Sequence, residues 1–365
     1  MTILLHPPDS RQDPGFYLFL FDALRKYMGA RMATRQRPVP RMEQPRQHES
    51  VWIDWAGVPV VVDMSDHVQL FDVPALKQCK IYFKANLNVA MAKKVLKRAG
   101  AEAHWAKIRP FMFLPPTLAG CARLEPITRL ARRSAWRPYD FCHVVGVYNN
   151  PFLSGAPTEA ERDIAPDPQT NHFWVRYQTQ RALRETGLKG FCRLTNRGDP
   201  ALLDPKGVVR SNLSPGVYLA AMLASRMTVL NTLPHAVFPW KAWESVALGI
   251  PFIAERRPLI VMPKEWELVA GRHYLEWLPE LPGFDEMAEP DDLRAYRLFP
   301  EIRLERLKER AEWICGEIRN RTRMAEMRAE VEDYRRRVLS PRSIAETVAG
   351  VVASSGKIGG SEWDG

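Results

Sequence analysis

Strand-like and helix-like runs alternate through both halves of the chain, which predicts an α/β protein with layered elements, not segregated ones. Two further observations shape that prediction. A length of 365 residues is enough for two domains of ordinary size, each with its own core. Phe141-Cys-His-Val-Val-Gly-Val147 is a continuous apolar run of the kind a parallel sheet buries on both faces.

In chain order, residues 1–8 read as a strand and 16–28 as an amphipathic helix. A basic, proline-containing loop runs from Gly29 to Ser50 and carries Arg31, Arg35, Arg37, Arg41 and Arg46; it is longer than most connections inside a compact domain. Strands are expected at 51–55, 58–63 and near 79–83. The helix at 87–99 carries Lys93, Lys94, Lys97 and Arg98, first of all as a solvated face. Prolines make 108–116 extended, and the chain crosses to a second domain near 134–139. There, strand 141–147, a loop from Asn149 to Asn171, helix 172–186 and strand 188–194 form a βαβ unit. Helix and strand pairs follow at 214–231 and 240–254, with a short strand at 273–278. This second sheet is expected to be doubly wound, with ligands at the carboxyl ends of its strands. From about residue 290 the chain reads as helical. Residues 303–337, with 11 basic and 8 acidic side chains in mixed order, suggest an exposed, salt-bridge-laced helix. Helix 342–353 and a loose Gly/Ser-containing tail close the chain. The expected division is 1–137, 138–290, the C-terminal helices 291–353 and the tail 354–365.

With 46% hydrophobic and 26% charged residues, the composition is that of a soluble globular protein, and no apolar run approaches the roughly 18 residues of a membrane span. The start Met1-Thr-Ile-Leu-Leu-His6 has no leading positive charge and no cleavage pattern, so it reads as a strand and not a signal peptide. A cytoplasmic protein is expected, with peripheral attachment to a membrane surface left open. Cys79, Cys121, Cys142, Cys192 and Cys315 are widely spaced without a Cys-x-x-Cys pair, which indicates neither zinc nor a disulfide framework; most read as small buried hydrophobes. The eight histidines are equally dispersed, so no protein-held metal is expected. The net charge of +10 is uneven: residues 1–135 hold 21 basic and 11 acidic side chains, and the remainder 31 of each. A basic first domain beside a neutral second one suggests that the first meets something anionic.

The segment from His235 to Glu255 carries the most chemistry. Pro239 suits a helix start and Gly249 a stop, with Lys241 and Glu244 three apart on one face and Trp243, Val246 and Ala247 turned to a sheet. Such a helix fits recognition of a nucleotide diphosphate sugar: a carboxylate accepts from a ribose diol, an ammonium offsets phosphate charge, and first-turn N–H groups add a partial positive end. The competing reading is a plain Lys/Glu pair worth a few tenths of a kcal/mol.

The pattern Lys241, Glu244, Gly249, Pro251, read as Lys/Arg-x-x-Glu-x-x-x-x-Gly-x-Pro, resembles the donor-site region of GT-B fold glycosyltransferases, especially exostosin-like ones. Tyr218 to Ser225 and Met227 to Asn231 fit the preceding helix and strand of that family's C-terminal domain, and Val61-Val-Asp-Met-Ser-Asp66 and Ile81-Tyr-Phe-Lys84 are similar to strand-end motifs of its other domain. The resemblance implies two Rossmann-like domains facing a central cleft, a nucleotide diphosphate sugar as co-substrate, a donor-binding C-terminal domain and an acceptor-side N-terminal one. A magnesium ion travelling with the diphosphate is compatible with it.

Further donor contacts are expected from Arg193 or Arg197 after the 188–194 strand, each competing with a plain surface arginine, and from His235, a weaker candidate. An inverting enzyme also needs a base from the first domain. Asp63 and Asp66 end an apolar strand, where a carboxylate can be held at a sheet edge and aimed outward; Asp66 is the candidate, against the competing and somewhat stronger reading as a cap of the following helix or turn, and Asp9 is the reserve. Arg31, Arg35, Arg37 and Arg41 mark the acceptor side. The charge balance fits an anionic acceptor: a glycan, a lipid-linked sugar at a membrane face, or a modified base in DNA. The alternative is a non-catalytic nucleic-acid-binding α/β protein, which explains the charge asymmetry but leaves the Lys241/Glu244 helix without a purpose.

Overall fold

A computed structural model describes residues 2–7, 15–34, 50–65, 68–123, 125–133, 136–147, 168–196, 209–210, 212–231, 237–254, 260–278 and 304–354. The first half contains β1 (Ile3–Leu5), α1 (Gly15–Met28), β2 (Arg31–Met32), β3 (Ser50–Trp55), β4 (Val58–Asp63), α2 (Val73–Gln78), β5 (Ile81–Ala85), α3 (Val89–Arg98), β6 (Ile108–Phe111), α4 (Thr117–Arg123) and α5 (Glu125–Arg133). The second contains β7 (Tyr139–Val147), α6 (Pro168–Glu185), β8 (Gly190–Asn196), β9 (Val209–Arg210), α7 (Pro215–Leu223), β10 (Ser225–Val229), α8 (Trp240–Ala247), β11 (Phe252–Ala254) and β12 (Tyr274–Glu276). The last described elements are the helices α9 (Leu304–Arg319), α10 (Arg321–Arg337) and α11 (Pro341–Ser354).

The molecule is a two-sheet α/β protein with C-terminal helices. The first sheet has the order β2-β1-β3-β4-β5-β6. Its β3 runs antiparallel to both β1 and β4, while β1 pairs parallel with β2, and β4, β5 and β6 are mutually parallel. The departure from a purely parallel sheet is local: Ala56 and Gly57 both have positive φ (51° and 86°), the backbone of a two-residue type I′ hairpin that returns β3 into β4. The second sheet is wholly parallel, in the order β12-β11-β10-β7-β8-β9. Reading from β9, the chain order runs 3-2-1-4-5-6, the doubly wound order whose switch point lies between β7 and β10.

Local chemistry sets the element ends. Asp72 caps α2 through Ala75 N (3.0 Å), Asn88 caps α3 through Met91 N (2.9 Å), and Ser214 precedes Pro215 at the start of α7. Gly249 (φ 70°) stops α8, with Ile250 N donating to Ser245 O (2.9 Å). Asn320 breaks the basic/acidic C-terminal stretch into two helices and caps the second through Arg323 N (3.1 Å). These helices are not merely solvated, as the charge pattern suggested: Ala311, Ile314, Ile318, Met324 and Met327 are buried in one cluster with Phe141, Met227 and Trp277.

The largest apolar cluster runs through both halves. Phe16, Leu20 and Leu24 of α1, Ile53 and Val60 of the first sheet, Ala242, Trp243 and Val246 of α8, and Ile344, Val348 and Val352 of α11 belong to it. Trp240, in the first turn of α8, meets Phe16 edge-on (5.2 Å between ring centroids) and stacks against Phe113 (6.1 Å). Beyond the carboxyl ends of β5 and β11 the halves touch again: Val261 N donates to Leu87 O (2.7 Å), and Val68, Met91 and Val237 are buried together beside Ile260. The carboxyl edges of the two sheets therefore face each other, as the cleft arrangement requires.

Gly190, at the start of β8, lies so close to β7 that a Cβ there would stand 2.3 Å from Phe141 Cζ, whereas one at Gly216 meets nothing within 4 Å. Gly190→Ala is expected to destabilise the protein by about 1–3 kcal/mol through overpacking, while Gly216→Ala stays within about 0.5 kcal/mol. Urea unfolding midpoints of the two variants check this; equal midpoints would contradict the packing geometry.

Candidate functional site

The carboxyl end of the β7/β10 switch point is where three polar side chains from separate elements converge. Lys241, from the first turn of α8, donates from Nζ to the carbonyl of Val144 on β7 and lies 5.8 Å from the centre of the Tyr218 ring of α7. His143, on β7 and fully buried, is bonded through Nε2 to Asn231 Oδ1 (2.7 Å), just beyond β10. Because an amide oxygen only accepts, this bond places the proton on Nε2 and leaves Nδ1 as the bare, buried nitrogen. Burial first, and then the neighbouring Lys241 cation, pull the imidazole down to about 3, so His143 is neutral. Sequence reasoning missed both His143 and Asn231, since a histidine inside an apolar strand gives no motif. Arg193 shares this neighbourhood by register: its Cα partner across the β7/β8 ladder is Val144, the residue that accepts from Lys241.

Glu244, one turn further along α8, is in a different situation from the one expected of a ligand-facing carboxylate. It is only 4% exposed. Thr117 of α4 donates to Oε1, and the Tyr218 hydroxyl donates to Oε2 (2.6 Å), so each oxygen already holds one protein hydroxyl. Two hydroxyls on one carboxylate reproduce the pattern a ribose diol would present. The same carboxylate, after burial itself, helps to push the Cys121 thiol up to about 12, and Cys142 is pushed up to about 11 by burial. Both are inert thiols. All five cysteines are free, and four are buried.

On the facing edge of the first sheet, a buried polar network closes the ends of β4 and β5. Asp63 and Lys84 are cross-strand partners, both without solvent exposure, with Nζ 3.7 Å from Oδ1. Asp63 also accepts from Ser65 N (2.8 Å) and from the Tyr82 hydroxyl (2.5 Å), and that hydroxyl in turn accepts from Asp72 N (2.9 Å). Ser50 donates to the second oxygen of Asp72 (2.5 Å). Lys84 lies 5.3 Å from the Phe71 ring, which is stacked on Tyr82. Burial, then Asp63 and Asp72, hold the Tyr82 phenol well above its usual range. The sequence reading had Asp63 as a carboxylate aimed outward from a sheet edge; it is instead the buried anchor of this network. Asp72 is the N-cap of α2.

Asp66 and Asp9, together with Arg197, His235, Arg35, Arg37 and Arg41, lie outside the described residues. Arg31 is exposed on the edge strand β2. Among the described residues, no three His, Cys, Asp or Glu side chains are grouped as a metal site, and no helix is long and apolar enough to cross a membrane.

No protein-family model matches the chain, and no curated protein sequence matches it. Among solved structures it is similar to Anabaena HepE (Alr3699) in complex with UDP and glucose, with a TM-score of 0.41 and 13% identity over 81% of this chain and 71% of that one. The same protein with UDP-glucose gives 0.39 and 12% over 79% and 70%. TarM gives 0.37 and 10% over 76% of this chain and 44% of TarM. Likeness of this degree concerns the course of the chain and assigns no residue.

Two outcomes are expected from these geometries. Lys84→Met leaves Asp63 charged and buried without its cation, so it should cost about 3–5 kcal/mol; adding Asp63→Asn should recover part of that loss in a double-mutant cycle. Strict additivity would show that the pair is not coupled. His143 is unprotonated in the fold but binds a proton below about 6.5 when unfolded. Its stabilising contribution is therefore complete above that pH and is lost as pH falls toward about 3, at about 1.4 kcal/mol per unit. Urea unfolding between pH 6.5 and 5 should show this slope reduced in His143→Gln, and an unchanged slope would refute the assignment.

Proposed function

We propose that the protein is a GT-B type glycosyltransferase, with an exostosin-like donor region, that takes its sugar from a nucleotide diphosphate sugar. The observation that carries this reading is the place of Lys241: the first turn of α8, at the carboxyl end of a 3-2-1-4-5-6 parallel sheet, beside its switch point and opposite the carboxyl edge of a second sheet. Ligands of doubly wound sheets bind at that crevice. In this reading Lys241 and the first-turn amides of α8 offset charge on the leaving diphosphate. Arg193, with Arg197 and His235, completes the phosphate side. Glu244 takes the ribose diol in place of the Thr117 and Tyr218 hydroxyls.

The acceptor hydroxyl comes from the side of the first sheet. Its oxygen bonds to the anomeric carbon as the bond to the diphosphate breaks, and its proton passes to a carboxylate, for which Asp66 is the candidate and Asp9 the reserve. Asp63 holds the backbone at Ser65, and so sets where the chain leaves β4 toward Asp66. The excess of basic residues in positions 1–135, including Arg31, Arg35, Arg37 and Arg41, supports an anionic acceptor: an acidic or phosphorylated glycan, a lipid-linked sugar at a membrane face, or DNA.

Thermal unfolding against UDP, GDP and TDP and their sugars tests the proposal. At least one nucleotide should stabilise the protein, by about 2.7 kcal/mol at a hundred-fold excess over its Kd. Lys241→Ala and Glu244→Gln should each remove most of that stabilisation. Thr117→Val, which removes only a resident hydroxyl, should lower intrinsic stability by about 1–3 kcal/mol yet keep the nucleotide response. A folded protein indifferent to every nucleotide would sink the reading, and a Glu244→Gln variant that still responds fully would confine Glu244 to a structural part.

A further inference from the structure

The opposite, amino-terminal edge of the second sheet carries a feature that donor chemistry does not use. A cavity of about 460 Å³ opens there, lined by Tyr139 at the start of β7, Arg184 and Gly187 at the end of α6, and Leu188 and Lys189 before β8. Three more guanidinium groups lie toward the same edge of the sheet, outside this lining. Arg137 immediately precedes the lining residue Pro138. Arg226 is the second residue of β10, where Ser225 pairs in register with Tyr139. Arg328 is on α10, next to Met327, which is buried with Phe141 and Met227.

Five cations thus gather at one edge, and Asp140 is the one carboxylate in ion-pair contact with any of them among the described residues. Its Oδ1 is 3.6 Å from Arg226 Nε, and its Oδ2 accepts from Lys189 N (2.9 Å). Arg137 spends one nitrogen on the Trp136 carbonyl (3.1 Å), and its Nε is buried with no hydrogen-bond partner. Arg328 makes no ion pair or hydrogen bond among the described residues; burial, and then Arg137 and Arg226, pull it down to about 10. Like charges brought together and partly desolvated cost free energy unless an anion joins them. At the carboxyl end of α6 a separate cation is already in place, Arg319, which donates to Thr186 O (3.3 Å). Glu185 is engaged elsewhere, with Arg181 (2.8 Å) and Lys308 (3.7 Å).

We infer that this cavity is a second, small-molecule anion site, built to take the phosphate of a soluble phosphorylated ligand between Arg184, Lys189 and the Arg137/Arg226/Arg328 group. Guanidinium forks suit phosphate oxygens, the volume lies in the range of small-ligand pockets, and Tyr139 and Leu188 supply an apolar wall for the rest of the molecule. The site lies at the opposite end of the strands from Lys241, so it is separable from the donor edge.

Isothermal titration with inorganic pyrophosphate at low ionic strength tests it, in a Lys241→Ala background that removes the donor-edge contribution. Binding should persist in that background. It should weaken at least ten-fold when Arg184→Gln and Lys189→Gln, both exposed positions whose exchange leaves the core untouched, are added, and again with Arg328→Gln alone. No binding in the Lys241→Ala protein, or unchanged affinity in the Arg184/Lys189 variant, overturns the proposal whatever the outcome for nucleotides. A vesicle arm separates the two sources of phosphate. Sedimentation with phosphatidylglycerol but not phosphatidylcholine vesicles, lost in the Arg184/Lys189 variant and not displaced by pyrophosphate, would make this edge a membrane-facing surface and also overturn it. Displacement by millimolar pyrophosphate supports the soluble-ligand site.

Discussion

The placement of α8 is the constraint on which the rest of the structure depends. An eight-residue helix cannot hold itself together in water, so it exists because it is packed. Ala242, Trp243 and Val246 are buried in a core that also contains α1, β3, β4 and α11, and Trp240 is wedged between Phe16 and Phe113. The apolar face of α8 thus ties the second sheet to the first half of the chain. Its polar positions, Lys241 and Glu244, are fixed as a by-product at the level of the β7/β10 switch point. Packing decides where the chemistry can be, and the chemistry has no freedom to drift from it.

A second constraint follows from burying charge. Four ionisable groups lie at or near the facing sheet edges, and they are accommodated in three ways. Asp63 and Lys84 are paired, and the carboxylate also accepts from Ser65 N and the Tyr82 hydroxyl. His143 surrenders its charge, because burial and Lys241 both oppose a second cation. Glu244 takes one hydroxyl on each oxygen. The Asp63 network lies within the first half and ties the ends of β4 and β5 to the start of α2. The Glu244 arrangement joins elements from both halves, α4, α7 and α8, so any ligand that replaces Thr117 there also alters a contact between them.

Much of this was legible in the sequence, for identifiable reasons. The apolar run at 141–147, the Pro239 and Gly249 punctuation and the helix–strand alternation pointed to five of the six strands of the second sheet and to its doubly wound class, because a parallel sheet buried on both faces leaves continuous hydrophobic runs; the two-residue β9 and the strand order were not legible. What was not legible is pairing. Asp63 at a strand end looks the same whether it points to solvent or is matched with Lys84, and only the β4/β5 register makes the difference. The hairpin at Ala56-Gly57 was hidden because Ala at a positive-φ position is a weak turn signal beside Asn or Asp. Mixed charges in 303–337 pointed to solvent, since they outnumber the apolar residues; the stripe formed by Ile314, Ile318, Met324, Met327 and Val331 nonetheless decides the burial.

The two ends of the second sheet show why charge counts need coordinates. By sequence, residues 136–365 hold equal numbers of basic and acidic side chains and look electrostatically neutral. Their distribution is not neutral. Several acidic residues of the C-terminal helices are held in pairs, such as Glu332 with Arg335, Asp333 with Arg337, and Glu330 with Arg272 of the turn before β12, and Arg335 also takes Glu125 of α5. At exposed sites these pairs contribute little to stability, but each removes a carboxylate from the count available elsewhere. What remains at the amino edge of the sheet is a group of guanidinium and ammonium groups with Asp140 between them. Among the described residues charge is thus segregated, and a concave surface with a local cation excess stands where the average over the half predicts none. A field of that kind acts on whatever small anion enters the cavity, independently of the helix that faces the other edge.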